Sequence, residues 1–208
     1  MARGKASRDA RMRERLVQEA ARIMAVEGIR DFSQAKRKAA LHLGAPGTTN
    51  LPQNREIQTA LYEYQRLFGG ERQEAAVLRL RETALEAMSF FAPFKPRLVG
   101  GVLDGTAGPD SAVDLHCFAD TPEDVVLFLL DQGIPFDTEE KRLRFDDEYD
   151  FVPTHRFVAG ETPINLSVFS GRGRGRQHPP RSPVDGRPME RAGRRDVEAL
   201  LSGELAGR

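Results

Sequence analysis

The sequence predicts an α+β protein: an amino-terminal helical bundle, then a small mixed sheet, then a flexible basic tail. Three observations carry this. Apolar residues recur at helical spacing as far as Phe91, the period changes to two from Arg97, and after Ser170 glycine, arginine and proline replace both patterns. The expected divisions are residues 1–93, 94–170 and 171–208.

Leu16, Ala20, Ile23 and Met24 share one helical face, and Gly28 follows as a stop, which predicts a helix over Arg8 to Glu27. Phe32, Ala35, Ala39 and Leu43 predict a second helix, with Ser33 as the capping candidate and Gly44 at its end. Between Ala45 and Gln53 stand Pro46, Gly47, Asn50 and Pro52, the chemistry of a loop. Ile57, Leu61, Tyr64 and Phe68 mark a third helix ended by Gly69 and Gly70, and Val77, Leu80, Ala84, Met88 and Phe91 mark a fourth stopped by Pro93. Beyond Arg97 the pattern predicts strands over Leu98 to Leu103, Ala112 to Phe118, Asp150 to Val158 and Thr162 to Phe169. A short helix is expected over Pro122 to Gln132 and one more short strand over Arg142 to Phe145. Strands that follow helices in a block, rather than alternating with them, point to α+β. Arg194 to Leu201 reads as a terminal helix.

The 208 residues allow one or two modest domains and a real core. No apolar run approaches the roughly 18 residues of a membrane span, and no apolar leader follows the arginine-rich start, so no membrane partner and a cytoplasmic location are expected. The single cysteine, Cys117, excludes an internal disulfide and a cysteine-built zinc site. Basic and acidic residues balance at 31 each, yet they are segregated. Residues 1–40 carry eleven Lys/Arg against five Asp/Glu, residues 104–150 three against fourteen, and residues 171–208 nine against five. The ends therefore suit an anionic partner and the middle suits cations.

The most informative stretch runs from Leu98 to Phe118: an apolar strand, Gly105-Thr106, a turn through Gly108, then Ser111-Ala-Val-Asp-Leu115 opening a second strand. This resembles the signature of the polymerase-beta-type nucleotidyltransferase superfamily, in which a strand leads to Gly-Ser or Gly-Gly and a later strand carries two acids two residues apart. The resemblance covers residues 95–170 and implies a nucleotidyltransferase-like domain that binds a nucleoside triphosphate with Mg2+ or Mn2+. Gly105, Thr106 and Ser111 would then cradle phosphates, because glycine lets backbone amides approach and a hydroxyl adds a donor. Asp114 and His116 would be the catalytic pair, and Asp114, His116 and Asn165 the metal ligands.

The match departs from the family's pattern where metal would bind. Aligned one way, Ala112 replaces the first acid and Asp114 is the second; shifted by two, Asp114 is the first and His116 the second. A third acid on a later strand is replaced by Asn165. Asp104, Asp110 and Asp150 are further acids nearby. One carboxylate with an imidazole and an amide is a poor magnesium cage, so the resemblance implies a degenerate site with weak or no transfer.

A second function class comes from the ends of the chain. Arg15 to Gly28 resembles the first helix of tetracycline-repressor-type regulators, with Ala35 to Gly44 as the next. Pro46, Gly47 and Pro52 interrupt the segment that would become the recognition helix. Arg172, Arg174 and Arg176, alternating with glycine, offer a salt-sensitive contact to nucleic acid. The alternative function is therefore a non-catalytic nucleic-acid-binding or regulatory protein.

Overall fold

The computed structural model describes residues 2–170, 175 and 177–203, with side chains from Asp9 onward. It is α+β: helices come first and a five-stranded mixed sheet follows. The chain divides into two compact units. One reaches to Gln73 and takes in Pro183–Asp185; the other starts at Glu74, runs to Ser182 and resumes at Gly186.

The first unit is built from α1 (Ala2–Glu27), α2 (Phe32–His42) and α3 (Asn54–Phe68). Its core is the stripe the periodicity marks: Leu16, Ala20 and Ile23 of α1 meet Phe32, Ala35 and Ala39 of α2 and Ile57, Ala60 and Leu61 of α3. Asp31, not Ser33, caps α2, accepting from Gln34 N–H at 2.6 Å. The loop before α3 is tied down by Arg13, which donates to Glu56 at 2.6 Å and to Asn50 at 3.1 Å.

The fourth helix, α4 (Gly70–Phe90), lies mostly in the second unit, so the division falls after Gln73 rather than near residue 93. The reason is its apolar stripe. Leu80, Ala84, Ala87 and Met88, with Phe91 just beyond the helix, pack with the sheet residues Leu98, Leu115, Cys117, Phe157 and Leu166. The sheet comprises β1 (Arg97–Val99), β2 (Val113–Ala119), β3 (Asp137–Phe145), β4 (Glu148–Ala159) and β5 (Thr162–Ser170), in spatial order β1-β2-β5-β4-β3. The β2–β5 pair is parallel and the other pairs are antiparallel. Three further helices are α5 (Gly101–Asp104), α6 (Pro122–Asp131) and α7 (Arg194–Ser202); α6 and α7 send Val125, Leu129 and Val197 into the same core as α4.

Three expectations change. The strand expected over Leu98 to Leu103 stops at Val99: Gly100, with φ 72° and ψ −153°, turns the chain into the helical turn α5. A short apolar run fits either element, and the backbone freedom of Gly100 decides it. Second, β3 starts at Asp137, well before Arg142, because its first residues pair with β4 through the backbone while their side chains stay exposed. Third, most of the described part of the expected tail is bonded within the sheet unit, and Pro183–Asp185 belong to the helical unit. Arg181 N–H donates to Arg144 O at 2.7 Å, Leu98 and Ala192 exchange two backbone bonds of 2.9 Å, and Ala192 and Val197 are buried. Gly171–Arg174 and Arg176 lie outside the described residues, and with them the expected nucleic-acid contact through Arg172, Arg174 and Arg176. Among the described residues no helix is long and apolar enough to cross a membrane.

Candidate functional site

The sheet's pleat puts alternate residues on opposite faces. On β2, Val113, Leu115 and Cys117 enter the core, so Asp114, His116 and Phe118 face the other way. On β5, Ile164, Leu166 and Val168 are core, leaving Asn165, Ser167 and Phe169 on that second face. The parallel register sets Asp114 beside Asn165 and His116 beside Ser167.

Asp114 and Asn165 are in direct contact: Asn165 Nδ2 donates to Asp114 Oδ1 at 2.8 Å. Val99 pairs with Asp114 across β1, and the residue after it, Gly100, edges the carboxylate closely. A Cβ on Gly100 would lie 3.4 Å from Asp114 Oδ2. On the far side of β5, Thr154 and Ser167 share a buried hydroxyl–hydroxyl bond of 2.9 Å, and Arg156, opposite Asn165, pairs with Glu139 at 3.1 Å.

His116 is buried. Its Nδ1 accepts from Arg191 Nε at 3.0 Å, and its ring stands edge-on to Phe169 at 4.7 Å. An Nδ1 that accepts must be unprotonated, so in the neutral ring the proton sits on Nε2. Burial, with Arg191 and Lys141 adding repulsion, holds the imidazolium pKa well below its usual value.

The other expected site residues serve their own loops. Gly105, with φ 82°, ends α5 in the left-handed region. Thr106 donates its hydroxyl at 2.5 Å and its N–H at 3.0 Å to Asp104 Oδ1. Burial raises the Asp104 pKa against the pull of those two bonds. Ser111 Oγ accepts from Gly108 N–H at 2.9 Å, closing the turn. Thus Asp114, Asn165 and His116 share one face, whereas Gly105, Thr106 and Ser111 hold the loop between α5 and β2. The glycine that approaches the Asp114 carboxylate is Gly100. Its signal in the sequence was the Gly100-Gly101 pair inside the apolar run. Arg191 carried no signal, since its partner His116 lies 75 positions away.

Asp114, His116 and Asn165 fit a divalent ion poorly. Asn165 turns its N–H, not its oxygen, toward Asp114, and a guanidinium occupies Nδ1 of His116. Magnesium prefers oxygen ligands, and a fixed cation beside one of the three positions repels another. Among the described residues no group of three or more His, Cys, Asp or Glu could hold a metal ion. Compared with protein-family models, with curated proteins and with solved structures, the chain matches none.

Proposed function

We propose that this chain is a nucleotidyltransferase-like protein that binds a nucleoside triphosphate and transfers its nucleotidyl group weakly or not at all. One observation carries the reading: Asp114 and Asn165 meet side by side on neighbouring parallel strands, with Gly100 against the carboxylate. The family the chain resembles has glycines after a strand, two acids on the next strand and a further acid later; here Gly100, rather than the expected Gly105, stands by the carboxylate, and Asp114 is the acid on the second strand. Here the later strand supplies an amide. On this reading one carboxylate beside an amide holds too little charge to neutralise a triphosphate during transfer, which supports binding without efficient turnover.

The test is twofold. ATP binding to the full chain is followed by calorimetry, and turnover of labelled nucleoside triphosphates is followed with magnesium and with manganese, comparing wild type with Asp114→Ala. The expected outcome is measurable binding with turnover at background in both proteins. Robust transfer that vanishes in Asp114→Ala overturns the non-transferring part of the reading, and absence of any nucleotide binding overturns it entirely.

A further inference from the structure

Leu98 and Ala192 exchange backbone bonds and both are buried in the core. Their neighbours Arg97 and Arg191 consequently fall on the opposite face, with Asp114 and His116. Arg97 stands opposite His116 in register. Arg191 donates to His116 Nδ1 and lays its guanidinium over the rings of Phe118 and Phe169, at 5.0 and 4.9 Å from their centres. Two like charges are thus gathered on one patch. Among the described residues neither pairs with a carboxylate, although the chain has 31 acidic residues, and Arg191 Nη2 is buried with no hydrogen-bond partner.

Such a donor costs stability unless something accepts from it. The partner that suits a guanidinium fork is a phosphate or carboxylate, and a phosphate also accepts from several donors at once. Burial and the charge of Arg97 lower Arg191 only to about 10, so it remains a cation at neutral pH. We infer that Arg191 and Arg97 bind the phosphate chain of the nucleotide directly, supplying the positive charge that a divalent ion supplies in the family the chain resembles. This rests on the nucleotide reading above and adds that the ligand is held without metal.

The experiment titrates the full chain with ATP in EDTA and again in magnesium. Binding in EDTA should be at least as tight as in magnesium, because magnesium neutralises the charge that the arginines would meet. Arg191→Met should weaken metal-free binding about tenfold or more, Arg97→Gln several-fold, and inorganic tripolyphosphate should displace ATP. Binding that requires magnesium overturns this inference and leaves the nucleotide reading standing, whereas no ATP binding in either buffer overturns both. Tripolyphosphate that fails to compete also overturns it. Arg191→Met removes a side chain packed on two rings, so if that variant does not fold the exposed Arg97→Gln decides: unchanged metal-free affinity refutes the proposal.

Discussion

At Asp114 a carboxylate accepts from an amide in a position where two carboxylates would have to share an ion to stay together. The neutral partner removes that need. Replacing Asn165 by Asp would put a second negative charge within hydrogen-bond distance of the first, and like charges this close raise one pKa and cost stability. The expected result for Asn165→Asp is a lower melting temperature than wild type in EDTA, with a gain on adding manganese that wild type lacks; scanning calorimetry reads both. Gly100 makes a separate demand. Its φ and ψ lie in a region open essentially to glycine alone, so Gly100→Ala should cost about 1–3 kcal/mol in urea unfolding, and the new Cβ would press on the Asp114 carboxylate.

At the scale of elements, α7 offers the sharpest contrast between sequence and structure. Its helical pattern is readable, but its docking is not, because Val197, Leu200 and Leu201 are all apolar and a short terminal helix does not say which of them enters a core. In the structure Val197 is fully buried. Val197→Ala should therefore destabilise the protein by about 1.5–3 kcal/mol, from two buried methyl groups and the space they leave, where a loose tail would show no change in the urea midpoint. The same contrast explains the rest of the fold. Helices α1 to α4, α6 and the strands β4 and β5 carry their burial in their periodicity, so they are legible. β3 is paired by its backbone and exposed along most of its side chains, so its first half leaves no apolar trace. The site was half legible for a related reason. Asp114, His116 and Asn165 were pointed to by the family resemblance, and the alternation along β2 and β5 puts them on one face. Gly100 and Arg191 matter through contacts that only the folded sheet creates, and the nearby Gly105-Thr106 pair offered a more familiar local pattern.

For the whole molecule, pH should act through histidines before it acts through carboxylates. His116 and His155 are both buried, and burial lowers both pKa values from 6.5. The folded state then stays neutral where the unfolded chain takes up protons, so the stability these groups contribute is complete above pH 6.5 and is lost as pH falls below it. Each contributes a slope of up to about 1.4 kcal/mol per pH unit in that window. The urea midpoint should hold between pH 8 and 7 and decline from about pH 6 to 5, and His116→Gln should flatten the decline. Carboxylates act lower down. Glu19, held to about 2 by Arg22 and His42, loses its contribution only as pH drops below 4.5, a second phase that the same titration separates.

The central strand has a consequence for how the protein is assembled. β5 is flanked on both sides, by β2 in parallel and by β4, yet the chain reaches it only after passing through α6, β3 and β4. A parallel neighbour cannot be reached by a tight turn; it needs a long crossover. The contact between Asp114 and Asn165 spans 51 positions for that reason, and no partly formed sheet lacking β5 can contain it. Any molecule that requires both side chains can therefore bind only chains whose sheet is complete. By mass action such a molecule draws the folding equilibrium of the entire sheet unit toward the native state, although it touches only a few residues on one face.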